Sequence, residues 1–183
     1  SWHGLSDWAA LLAEWKQRHW MRSPMAQTLK LTAAMLTQLD ITAAEAAIDP
    51  LIEPGKILDP EVKLSFEIDF PRDPADPREL SEIPEIRLWF IRLDAQYPWL
   101  PFVLDWEAGE LGRYAAMLVP HQFSPKDGIR YNPEALEIFV MNKIFVVAQW
   151  LQQQQSNQIT RLKFMTQMLG YEIDEGLFEL LIG

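Results

Sequence analysis

Residues 62–93 read VKLSFEIDFPRDPADPRELSEIPEIRLWFIRL, and the fold turns on how the two ends of this stretch are read. Val62, Leu64, Phe66, Ile68 and Phe70 alternate strictly with Lys63, Ser65, Glu67 and Asp69. That period of two belongs to a strand with one buried face. At the other end, IRLWFIRL (86–93) is apolar on both faces apart from Arg87 and Arg92, which predicts a second, more central strand. A small two- to three-stranded antiparallel sheet is expected from these runs. So few strands cannot cover themselves, so helices must pack on them. The expected class is α+β, mostly helical.

The segment between the runs carries Pro71, Pro74, Pro77 and Pro84, which stiffen it. A loop this long inside a compact fold is often functional. Its Arg72, Asp73, Asp76, Arg78, Glu79 and Glu82 either tie it down internally or form a pre-stiffened binding edge that loses little entropy on docking.

Working outward, residues 6–20 read as an amphipathic helix capped by Ser6, with Trp8, Leu11, Leu12 and Trp15 on one face. Met25–Leu39 reads as a second helix. Thr42 and Glu45 have capping-box spacing and open a third. IEPGKILDP (52–60) then breaks the pattern. We therefore expect an N-terminal helical segment over 1–57, followed by 58–183 with the strands, a long central helix and a C-terminal helix pair, all in one compact domain.

The central helix is NPEALEIFVMNKIFVVAQWLQQQ (132–154), with Asn132 as cap and Pro133 in the first turn. Glu134, Glu137, Asn142 and Gln149 share its polar side. Lys143 instead projects among Leu136, Phe139, Val147 and Trp150. It either pairs with a carboxylate such as Asp94 or Asp105, snorkels outward, or serves as a lysine of lowered pKa. A polar linker, QQQQSNQ (152–158), leads to a helix ending at Gly170 and another beginning at Asp174.

Composition narrows the function. With 183 residues, 49% of them hydrophobic, the chain can bury roughly 70% of its unfolded surface. Sixteen basic against 26 acidic residues give a net charge of −10. That argues against sequence-independent binding to nucleic acid or to an anionic membrane. There is no cysteine, so neither a disulfide nor a thiolate-held zinc or iron–sulfur cluster can form, and no cofactor is expected. No run approaches the roughly 18 apolar residues of a membrane span, so no stable membrane insertion is expected. SWHGLSDWAALLAEW at the start lacks the basic and apolar regions of a signal peptide.

Signatures of catalysis are missing. His3, His19 and His121 have no metal-ligand spacing, and no Ser–His, Cys–His or phosphate-loop motif stands out. The best enzymatic candidates are Glu107, Glu110 and Arg113, which share a face if helical. They read either as a solvated ion-pair ladder or as an acid/base pair with one raised carboxylate. In YPWLPFVLDW (97–106), Pro98 and Pro101 fix the backbone around Tyr97, Trp99, Phe102 and Trp106. These are core residues or interface anchors.

The stretches FEIDFPRDPADPRELSEIPEIRLWFIRLDAQYPWLPFVLDWEAGELGRYAAMLVPHQFS and RYNPEALEIFVMNKIFVVAQWL resemble the chlororespiratory reduction 6 family of cyanobacteria and chloroplasts. The resemblance runs from about Asp59 to the C-terminus and is nearly continuous through 66–151. It implies a non-enzymatic assembly chaperone for the photosynthetic NAD(P)H dehydrogenase-like complex. The implied partner is the I subunit, a ferredoxin-like protein with two four-iron clusters. The implied location is cytoplasmic, in the soluble phase, or the stroma if plastid. The family brings no catalytic motif; PRELSEIPEIRLWFIRLD, YPWLP, RYAAMLVPHQFS and NPEALEIFVM match without assigned roles. The expected partner surface comprises Arg72, Arg78, Glu79, Glu82, Trp89, Arg92, Tyr97, Trp99, Trp106, Arg113, His121 and Phe123. The alternative is a small acidic enzyme or small-molecule binder using the carboxylates near Glu107 with Lys143 or His121.

Overall fold

The computed structural model describes residues 8–14, 26–53 and 55–182. Residues 8–14 are helical (α1); the rest of the helix expected over 6–20, and Met25, lie outside the described residues, as do His3 and His19. Strand β1 (Ala26–Thr32) follows, then helices α2 (Ala33–Thr37) and α3 (Thr42–Ile52), a 3-10 turn at Lys56–Leu58 and strand β2 (Lys63–Asp69). After a 3-10 turn at Leu80–Glu82 come α4 (Pro84–Gln96), a 3-10 turn at Leu100–Val103 and α5 (Glu110–Leu118). Strands β3 (His121–Ser124) and β4 (Gly128–Tyr131) precede α6 (Pro133–Gln153), α7 (Ile159–Met168) and α8 (Glu175–Ile182). The class is mixed α+β and mostly helical, as expected.

The sheet differs from the expected one in partner and direction. β2 forms as its alternation predicts, but it pairs in parallel with β1, in register from Ala26↔Lys63 to Thr32↔Asp69. The helix expected over Met25–Leu39 is therefore strand through Thr32 and helix only from Ala33. AQTLKLT is rich in helix formers, yet Leu29 and Leu31 alternate with Thr28, Lys30 and Thr32, and pairing with β2 overrides local preference. Thr32 ends the strand and caps α2, its hydroxyl accepting from the Met35 N–H. Parallel strands need a crossover, which α2, α3 and the 56–58 turn supply.

The strand expected at 86–93 is helix α4. Pro84 stands in its first turn, and Ile86, Trp89, Phe90 and Leu93 form the buried i, i+3, i+4, i+7 set. Leu88, Ile91 and Arg92 take the outer face. A short apolar run does not by itself separate strand from helix; here the proline start and the four-residue recurrence decide it.

An antiparallel hairpin does exist, at β3–β4, pairing His121 with Tyr131 and Phe123 with Ile129. Its turn holds Asp127-Gly128, with Gly128 at φ +71°.

The outer edge of β2 is covered without a full strand. Leu64 bridges to Leu104, and the Asp105 N–H donates to the Leu64 carbonyl at 2.8 Å. Arg113 Nη1 donates to the Phe66 carbonyl at 3.2 Å. Inside, Phe66, Trp89, Phe90 and Tyr114 meet edge to face or offset, while Trp99 stacks on Trp150 at 4.3 Å. One hydrophobic cluster includes residues from Leu29 to Phe178.

Helix α6 begins as its sequence dictates, with the Asn132 side chain accepting from the Ala135 N–H at 3.0 Å. Glu134, Glu137, Asn142 and Gln149 are exposed, as expected. Gly170 at φ +88° follows α7, and the Asp174 carboxylate accepts from Gly176 at the start of α8.

Candidate functional site

The charged loop is tied to itself. Asp73 accepts from the Ala75 N–H, and Asp76 from the Arg78 N–H. The Arg78 guanidinium closes on Asp76 through Nε at 3.1 Å and Nη2 at 2.8 Å, which pulls that carboxyl down to about 2. Glu79 and Glu82 form a reciprocal capping box around the 80–82 turn, and Pro84 launches α4. Arg72 is half-buried, with its Nε enclosed and unpartnered among the described residues. Most of the expected edge charges are thus spent on local geometry, producing a stiff wall.

That wall faces two elements. Helix α5 supplies Gly112, Arg113, Ala116 and Met117; the hairpin supplies Phe123, Ile129 and Tyr131. Between them and Glu79–Ser81 lies a groove of about 420 Å³. Phe123 overhangs it, 43% exposed. The hairpin is anchored at its base, where the Tyr131 hydroxyl donates to the Gly112 carbonyl at 3.1 Å and the Asn132 N–H donates to the Pro120 carbonyl.

His121 provides a further anchor. Its Nδ1–H donates to the Val119 carbonyl at 2.9 Å, leaving Nε2 to accept from the Ser81 hydroxyl at 2.8 Å. Arg87 Nη1 donates to the carbonyls of Ser81 (2.9 Å) and Ala116 (3.1 Å) and stands 3.4 Å from Nδ1. Ser81 and His121 are hydrogen-bonded like a nucleophile and its base. Yet Ser81 is buried, and Nδ1 faces a carbonyl and a guanidinium where an orienting carboxylate would sit. The geometry is that of a latch joining loop, helix and hairpin.

The acid/base alternative loses its geometry. Glu107 lies on the surface beside Lys63, at 3.8 Å. Lys143 is buried between α6 and α4, with Nζ 2.7 Å from Asp94 and 3.0 Å from the Pro98 carbonyl. It is a paired core lysine, and its pKa is also lowered, burial outweighing the pull of Asp94. His121 belongs to the latch. Glu110 departs from the expected solvated ladder: it is buried against β2, paired with Arg113 at 2.9 Å. Burial raises its pKa, and Arg113 pulls it part of the way back.

Of the expected contact residues, the structure gathers Arg78, Glu79, Glu82, Arg113, His121 and Phe123 around the groove and its loop wall. Trp89, Tyr97 and Trp99 are corrected to the core. The Trp89 indole donates to the Asp40 carbonyl, the Tyr97 hydroxyl to Asp49, and Trp99 stacks on Trp150. Arg92 reaches the Leu39 carbonyl on the far side of α4. Trp106, half-exposed, stacks on Phe164, and Arg161 lies over its ring at 5.3 Å. Sequence reasoning missed Ser81, Gly112, Ile129 and Tyr131. The short alternating runs around SPKDG were the available signal for the hairpin.

Gly112, exposed, stands out among the residues lining the groove. Its φ is not positive, and a Cβ built there would meet nothing within 4 Å. Glycine inside a helix costs about 0.5–1 kcal/mol relative to alanine, and among the described residues neither a positive φ nor a contact at the Cβ position calls for it.

Against known protein families, the chain matches chlororespiratory reduction 6 over residues 31–180. The chain belongs to the chlororespiratory reduction 6 family. The match begins at Leu31 in β1, well before Asp59, the expected start of the resemblance. Membership is consistent with an assembly-factor role for the NAD(P)H dehydrogenase-like complex. No solved structure matches the chain. Among the described residues, no helix is long and apolar enough to cross a membrane.

Proposed function

We propose that this protein is a non-enzymatic maturation factor that binds the ferredoxin-like iron–sulfur I subunit before the hydrophilic arm of the NAD(P)H dehydrogenase-like complex is assembled. The observation that carries the reading is the family match over residues 31–180. The chain has no cysteine, so holding the client fits its chemistry better than carrying a cluster on thiolates. The service is mass action. A factor present at 100 times its dissociation constant stabilises the bound form by about 2.7 kcal/mol. A net charge of −10 favours encounter with a basic client surface. The protein acts in the soluble phase and leaves once its client is incorporated.

Size-exclusion chromatography of an equimolar mixture with the isolated I subunit tests the proposal. Co-elution at the mass of a complex is expected. Two independent peaks across a range of ionic strength would overturn it, as would recovery of the protein as a stoichiometric component of the finished complex.

A further inference from the structure

We propose that the groove between α5 and the β3–β4 hairpin is a docking site for a partner segment that inserts one or two bulky apolar side chains and carries a lysine or arginine beside them. The inference deepens the assembly-factor reading and rests on it.

Shape comes first. About 420 Å³ of space is walled by Leu80 and by the half-exposed Phe123 and Ile129, which is room for two large side chains. Gly112, itself exposed, lines the groove, and a Cβ there would meet nothing within 4 Å among the described residues. A glycine that needs no positive φ and leaves open space where a Cβ would stand lets a partner's side chain approach the α5 backbone closely. The walls are stiff, because the capping box and the Ser81–His121 latch hold loop and hairpin before anything binds.

Charge gives the flanking residue. The charged groups lining the groove are Glu79 and Arg113. Arg113 already donates to Glu110 and to the Phe66 carbonyl. Glu79 is exposed and enters no ion pair among the described residues, so the uncompensated charge at the mouth is negative, within a molecule of net charge −10. A basic residue beside the inserted side chains complements it.

The probes are two acetylated peptide amides, Gly-Lys-Trp-Leu-Lys-Gly and Gly-Glu-Trp-Leu-Glu-Gly, each titrated into the ¹⁵N-labelled full chain. The basic peptide is expected to shift the amides of Gly109, Gly112 and Ile129 saturably. The acidic peptide should bind about fivefold more weakly at moderate salt. Gly112→Leu should abolish the shifts by filling the groove. Glu79→Gln, which keeps an oxygen for the Glu82 N–H, should erase the preference between peptides. Shifts mapping elsewhere, equal binding of both peptides, or undiminished binding by Gly112→Leu with a native spectrum would each overturn the inference. Calorimetry with the I subunit separates it from the underlying reading. If wild type binds that subunit and Gly112→Leu binds it equally, the groove assignment fails alone. If wild type does not bind it, the reading fails while the peptide data still judge the groove.

Discussion

Two buried charges show how single residues are held. Lys143 is buried, its Nζ 5.6 Å from the centre of the Phe139 ring; burial lowers its pKa, and Asp94 offsets only part of that. Asp94 also accepts from the Tyr114 hydroxyl at 2.7 Å, so one carboxylate serves a lysine and a tyrosine at the α4–α5–α6 junction. Removing one partner of such a pair strands the other. Lys143→Met should destabilise the protein by about 3 kcal/mol. Adding Asp94→Asn, which still accepts from Tyr114, should recover a substantial part of the loss. Urea unfolding of both variants checks this. Glu110 yields a pH dependence. Its folded pKa lies above the unfolded value of 4.5, so the native state holds its proton longer as pH rises. The unfolded chain then binds fewer protons, and stability falls with pH through that window. The contribution of Glu110 is most favourable below 4.5 and is lost as pH climbs through its raised folded value. Against Glu110→Gln, wild type should lose relative stability between pH 4.5 and pH 7, read from urea midpoints; a constant difference would contradict the assignment.

At the scale of elements, sequence was legible wherever one local signal had one meaning. The Asn132-Pro133 start of α6, Gly170 after α7, Asp174 before α8 and the alternation of β2 all form where the residues place them. The two misread runs share a cause. IRLWFIRL and AQTLKLT are short enough to fit either period; the proline start and four-residue recurrence settle the first, and pairing with β2 settles the second. β1 is strand because β2 lies beside it, which local propensity does not encode. Site residues divide similarly. Loop charges and Phe123 were visible as chemistry, whereas Ser81 and Tyr131 matter only through partners remote in sequence, His121 and Gly112. Trp89 and Trp99 looked like anchors because tryptophan suits both interface and core; their backbone-bound or stacked surroundings put them inside. Helix α5 supports an element-level prediction. Since a methyl at Gly112 meets nothing within 4 Å among the described residues, Gly112→Ala should stabilise the protein by about 0.5–1 kcal/mol, seen as a higher urea midpoint at an unchanged slope. A loss of stability would mean that the first turn of α5 needs the glycine.

At the scale of the molecule, a small sheet, its helices and a hydrogen-bonded latch hold the loop wall and the hairpin together. A parallel strand pair and its covering helices form the body, and the latch of Ser81, His121 and Arg87 fixes the loop wall and hairpin beside α5. The net charge of −10 gives such a surface long reach towards a basic partner. Association with the I subunit should therefore slow as salt is raised from 50 to 500 mM, measured by stopped-flow mixing, with dissociation changing much less. The most direct test is titration calorimetry of the full chain against the isolated I subunit, once with its clusters assembled and once without. The account predicts saturable one-to-one binding. The cluster state that binds tighter identifies the service: the cluster-free form a holding chaperone, the loaded form an escort to assembly. No heat and no co-elution with either form would contradict it.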